Sequence, residues 1–111
     1  MFRNTPELES QQRFFDGRAL IEDGGYAAAV GQLQQAITLD DQASHAHNAI
    51  GLAYWQQGLL DEAIPPLQQA IALTPEWNYP RYTLSLVLLE QRLYDETEAG
   101  FQAALANDDE D

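Results

Sequence analysis

Apolar and small residues recur along this chain at helical spacing, halt at a glycine or polar break, and resume, three times over. Positions three and four apart share one face of a helix, so each cycle reads as helix, turn, helix. Six helices are predicted, over Glu7–Glu22, Tyr26–Leu39, His45–Gln56, Leu60–Leu73, Tyr79–Gln91 and Tyr94–Asn107. Gly24-Gly25 and Gly58 fall at the first two breaks, where a residue without Cβ enters the left-handed conformation that ends a helix at little cost. Arg92 stands at the third break without that freedom. Asn78 is a candidate cap for the fifth helix, with Pro80 tolerable in its first turn. Pro65 and Pro66 lie a turn into the fourth helix, where their missing N–H groups predict a local kink.

The cycles share one period. Gly17, Gly51 and Ser85 are 34 residues apart, as are Leu20, Tyr54 and Leu88, then Gly24, Gly58 and Arg92, then Tyr26, Leu60 and Tyr94. The register runs on without a gap through Ala29, Ala63 and Thr97, through Leu33, Leu67 and Phe101, and through Ala36, Ala70 and Ala104. A fixed period of this length marks a stack of identical supersecondary units. Gly51, Ala63 and Ala70 are small for a packing reason: they let two helix axes approach closely.

These positions resemble three tandem tetratricopeptide repeats. The middle unit, Ser44 to Trp77, supplies the family's Gly-x-x-Tyr, turn glycine, paired alanines and closing proline as Gly51, Tyr54, Gly58, Ala63, Ala70 and Pro75. The outer units depart from the pattern at Arg13, Asp16, Ser85, Arg92 and Thr97, and these departures are expected to weaken packing locally while keeping register. The resemblance implies an all-α fold of three helix-turn-helix units in a short right-handed solenoid. Residues 1–9 form an N-terminal extension and the start of the first helix, and the units span 10–43, 44–77 and 78–111, the last with an acidic tail.

Composition narrows the chemistry. The 111 residues carry 18 acidic side chains against five arginines, with no lysine, for a formal charge of −13. Phosphate backbones and anionic membranes are therefore excluded as partners. A field of this sign steers basic partners inward, and an acidic surface is also one device of proteins adapted to high salt. There is no cysteine, hence no disulfide and no thiolate chemistry. Met1 to Ser10 has no signal-like apolar core and no apolar run reaches about 18 residues, so a cytoplasmic location is expected.

No catalytic constellation emerges. His45 and His47 are two apart on a helix and diverge, which argues against a shared metal ion. His47 is expected toward the core and His45 outward. Asp61 with Glu62, and Glu96 with Glu98, sit at or near predicted helix starts, where the macrodipole favours negative charge without any reaction. Asn107–Asp111 reads as a solvated acidic tail rather than a calcium loop. No enzyme activity, cofactor or metal is expected.

The informative feature is a second stripe on the first helix of each unit. His47, Ile50, Gly51 and Tyr54 form the stripe that should be buried, yet His45, Asn48, Leu52 and Trp55 form another. Its counterparts are Gln11, Phe14, Arg18 and Ile21 in the first unit and Tyr79, Tyr82, Leu86 and Leu89 in the third. In the family this face lines the concave surface that receives a partner's peptide. The resemblance thus implies a groove of Phe14, Arg18, Ile21, Asn48, Leu52, Trp55, Tyr79, Tyr82, Leu86 and Leu89. It would dock an extended or helical, apolar or basic-amphipathic segment of a partner protein. The competing reading folds Phe14, Phe15 and Trp55 sideways into the core. The family's carboxylate clamp is missing, its positions being Phe14, Arg18, Ala49, Tyr79 and Thr83. Two alternatives stand beside the groove: a self-associating scaffold or a fragment of a longer repeat protein, with homo-oligomerisation through the last helix, and a chaperone like those of type III secretion.

Overall fold

The computed structural model describes residues 5–108. Its elements are five helices in chain order: α1 (Pro6–Glu22), α2 (Tyr26–Leu39), α3 (Ser44–Gln56), α4 (Leu60–Leu73) and α5 (Tyr79–Asp108). Each packs on the next, and α3 also touches both α1 and α5. The odd-numbered helices therefore form one layer and α2 with α4 the other. Two hairpins, α1–α2 and α3–α4, make up an all-α solenoid.

Thr5 starts α1 by accepting the Leu8 N–H on Oγ1 at 3.2 Å, with Pro6 following and Glu7 and Glu9 complementing the positive end of the helix dipole. The two hairpin turns are the same motif. Gly24 and Gly58 have φ of 84° and 79°. The next N–H, of Gly25 or Leu59, reaches back to the carbonyl of Leu20 or Tyr54 at 2.8 and 2.9 Å. This satisfies carbonyls that a helix end otherwise leaves open. Gly25 has negative φ and caps α2. Helix α4 runs unbroken through Pro65 and Pro66. Their missing N–H groups release only the carbonyls of Asp61 and Glu62, exposed residues of the first turn.

The small positions act as the spacing predicts. A methyl group built on Gly51 would lie 2.6 Å from Leu67 Cγ and 3.3 Å from the Ala63 carbonyl oxygen, and one on Gly17 would lie 2.7 Å from Leu33 Cγ. Only glycine permits this approach of the paired helices. Leu33, Ala36, Ala46, Ala49 and Ile50 form the core between the two hairpins, and Ala63, Leu67 and Val87 the core under α5, with Tyr54 packed against both. Ser10 and Ser44, one period apart, are buried. Ser10 Oγ donates to the Ala36 carbonyl at 2.8 Å, and Ser44 Oγ hydrogen-bonds Thr74 Oγ1.

The third unit departs from expectation. The helices predicted over Tyr79–Gln91 and Tyr94–Asn107 are one continuous 30-residue helix. Four substitutions account for it. Arg92 replaces the turn glycine, and left-handed backbone would cost it about 1–2 kcal/mol. Its guanidinium instead pairs with Glu96 at 2.8 Å, one turn further along the straight helix. Ser85 replaces the glycine at the closest approach, Phe101 the leucine that meets it, and Thr97 an alanine. The hydroxyls of Ser85 and Thr97 turn back onto the Arg81 and Leu93 carbonyls at 2.9 and 2.7 Å.

From Arg92 to Ala106 every residue is exposed, including Leu93, Tyr94, Phe101 and Leu105. The molecule is accordingly long, 80 × 29 × 19 Å, with a radius of gyration of 18.3 Å where a compact chain of this size has about 13 Å. The predicted acidic tail falls largely outside the described residues, as do Met1–Asn4 of the N-terminal extension.

Candidate functional site

Helices α1, α3 and the start of α5 surround a cavity of about 410 Å³ on the odd-numbered layer. Six of the residues predicted for the groove line it: Phe14, Arg18 and Ile21 from α1, Asn48 and Leu52 from α3, and Tyr79 from α5. Their placement follows from the period, because equivalent positions of successive first helices lie side by side once the hairpins stack. A second cavity of about 360 Å³ adjoins it, sharing Phe14 and His45.

The other four predicted residues lie elsewhere. Trp55 is half-buried against the core under α5, and its Nε1–H donates to Glu90 Oε2 at 2.7 Å. It folds sideways, as the competing reading expected for it, and ties α3 to α5. Phe14 and Ile21 pack against the first core while also lining the cavity, and Phe15 is exposed. Tyr82 and Leu89 are 65% and 52% exposed, Leu86 is half-buried, and none of the three lines this cavity. They follow α5 away from the space between α1 and α3.

The groove set read from the sequence lacked two members, Trp77 and also His45, although His45 was placed on the same stripe as Asn48 and Leu52. His45 stacks on Trp77 with ring centroids 4.4 Å apart and planes at 28°. Phe14 meets His45 edge-on at 6.1 Å, and Trp77 continues to Tyr79 at 6.2 Å and 19°. A row of four rings from α1, α3, the α4–α5 loop and α5 thus walls the cavity. Trp77 stands in a loop outside the helical period, and pattern analysis had no reason to place it there. His47 is half-buried, within 3.2 Å of the Asp41 carbonyl, and so points away from His45.

The electrostatics are one-sided. Arg18 and Glu22 both line the cavity and pair one turn apart at 3.7 Å, with side chains 63% and 69% exposed. Asn48 is only 5% exposed, and its Oδ1 has no hydrogen-bond partner among the described residues. A buried acceptor left without a donor costs about 1–3 kcal/mol. Aromatic faces and an empty carbonyl oxygen both favour donors and cations.

A family model described as tetratricopeptide repeat matches residues 17–76, the stretch holding most of both closed hairpins. The chain belongs to the tetratricopeptide repeat family. The crystal structure of MamA superposes with a TM-score of 0.74 at 25% identity over 92% of this chain, which spans 60% of the MamA chain. The second tetratricopeptide domain of Spaghetti (RPAP3), solved bound to the HSP90 peptide SRMEEVD, gives a TM-score of 0.75 at 17% identity, covering 89% of this chain and 92% of its own. No curated protein matches the chain. As a tetratricopeptide repeat protein it has the fold of a protein-interaction module. Among the described residues no helix is long and apolar enough to cross a membrane.

Proposed function

We propose that this tetratricopeptide repeat protein is a non-catalytic interaction module that docks a segment of a partner protein in the groove between α1, α3 and the start of α5. The observation that carries this is the wall of Phe14, His45, Trp77 and Tyr79, built by four separate elements around one open apolar cavity. Exposed aromatic clusters of this kind mark interaction surfaces, and buried aromatics dominate their energetics. The RPAP3 domain is a structural neighbour that binds a peptide, which supports the general mode and leaves the partner open.

The test uses Trp55→Phe, which leaves Trp77 as the single indole. Peptides selected from a random display library against this variant should shift Trp77 fluorescence, compete with one another, and lose at least tenfold in affinity in the His45→Ala variant. Selected binders that leave Trp77 fluorescence and His45→Ala affinity untouched would refute the groove.

Self-association is a second reading, favoured by the unpaired half of α5. Tyr94, Phe101 and Leu105 continue the stripe on which Thr83 and Val87 are buried, since positions 3, 4 and 7 apart share a helix face. A second copy covering that stripe would double the mass measured by light scattering. A single-chain mass up to millimolar protein would refute it.

A further inference from the structure

We propose that the groove is built for a basic-apolar segment: a lysine or arginine side chain seated against Trp77 and Tyr79 and donating to the side-chain carbonyl of Asn48 once that amide turns over to present it, with apolar neighbours on Phe14, Ile21 and Leu52. This rests on the groove reading above and adds the chemistry of the occupant.

Three observations converge on a cationic donor. First, Asn48 lines the cavity, its Oδ1 is buried beneath it without a partner among the described residues, and a half-turn of the amide exchanges its nitrogen for this oxygen, which accepts and never donates. Second, the faces of Trp77 and Tyr79 are nearly parallel at 6.2 Å, and His45 holds Trp77 in place by stacking on it. Such faces carry the negative end of a ring quadrupole, which attracts ammonium and guanidinium groups within about 6 Å. Third, charge is complementary at long range. Arg18 and Glu22 offset one another at the cavity, and the chain as a whole carries −13. An acidic segment meets a field that repels it, whereas a basic one is steered inward. The volume, about 410 Å³, lies in the range of ligand cavities and holds one long side chain with an apolar neighbour.

The preference is thus opposite to that of the RPAP3 domain, whose peptide SRMEEVD carries three acidic residues against one arginine. Of the five positions where the family's carboxylate-binding members carry basic or amide side chains, Arg18 alone carries a positive charge here, Thr83 is buried, and Phe14, Ala49 and Tyr79 are apolar or aromatic. Those three cover the stem of a lysine or arginine, which buries its methylenes readily.

The experiment extends the display selection and reads the sequences recovered. Binders that shift Trp77 fluorescence should be enriched in lysine and arginine beside leucine-like residues, and their affinity should fall at least fivefold between dilute buffer and 0.5 M salt. Two variants separate a binding role from a structural one. Asn48→Leu removes the unpaired oxygen, so the protein should melt higher while basic peptides bind about tenfold more weakly. Trp77→Leu keeps an apolar wall without the π face, and basic peptides should lose most of their advantage over glutamine-substituted versions. Groove binders that are neutral or acidic, or an Asn48→Leu variant that binds basic peptides undiminished, would overturn the proposal while leaving the groove reading intact. Binders that all avoid Trp77 would overturn both.

Discussion

Alanine placed at Gly51 and at Gly31 makes the same chemical change in two helices and should move stability in opposite directions. Replacing a helix-interior glycine by alanine is intrinsically favourable by about 1 kcal/mol. At Gly31, in α2, an added methyl meets nothing within 4 Å, so the gain should appear nearly whole. At Gly51 the methyl lies 2.6 Å from Leu67 Cγ and 2.7 Å from its Cδ2, where apolar carbons rest at about 3.5–4.0 Å. Leu67 is fully buried against Ala63 and Val87 and cannot rotate away without opening the core under α5. Overpacking of this kind costs about 1–3 kcal/mol, so with the propensity gain deducted Gly51→Ala should end up to about 2 kcal/mol less stable than the parent. Urea unfolding followed by circular dichroism measures both variants, and the two should be separated by the overpacking cost, about 1–3 kcal/mol. If Gly51→Ala proved as stable as Gly31→Ala, the close approach of α3 and α4 would not be what holds the hairpin.

Trp55→Phe removes the hydrogen bond to Glu90 and should cost about 1 kcal/mol of stability while leaving groove peptides bound as before, as urea unfolding and fluorescence titration would show. The double variant Ser85→Gly with Arg92→Gly restores the close-approach and turn glycines of the third unit. It should let the second half of α5 fold back, and small-angle scattering should then show a largest dimension well below 80 Å. Melting temperature should climb between dilute buffer and molar salt as repulsion within a chain of charge −13 is screened, and a flat response would count against self-repulsion as a factor in its stability.

Much of this architecture is legible in the 34-residue period. Gly17 and Gly51, Ala29 and Ala63, Gly24 and Gly58 each answer a local steric demand, a close helix contact or a left-handed turn, and such demands are written residue by residue. The cavity-lining places of Phe14, Arg18, Ile21, Asn48 and Leu52 were legible for the same reason, since identical positions in stacked hairpins must fall side by side. The third unit was read less well. Ser85, Arg92, Thr97 and Phe101 are visible as departures, but whether they bend a helix or straighten it depends on the balance between a turn's cost and the packing that repays it.

Pairing in space decided the rest. His45 and Trp77 are 32 residues apart, and Trp77 lies outside any helical period, so their stacking exists only after α3 and the α4–α5 loop are brought together. Trp55 shows the converse, sharing a stripe with Leu52 yet drawn to Glu90 on α5. Asn48 reads in the chain as one more polar residue on a helix. Only the packed neighbours reveal that its oxygen is buried and unpaired, because hydrogen-bond satisfaction belongs to the surroundings of an atom rather than to its place in the chain.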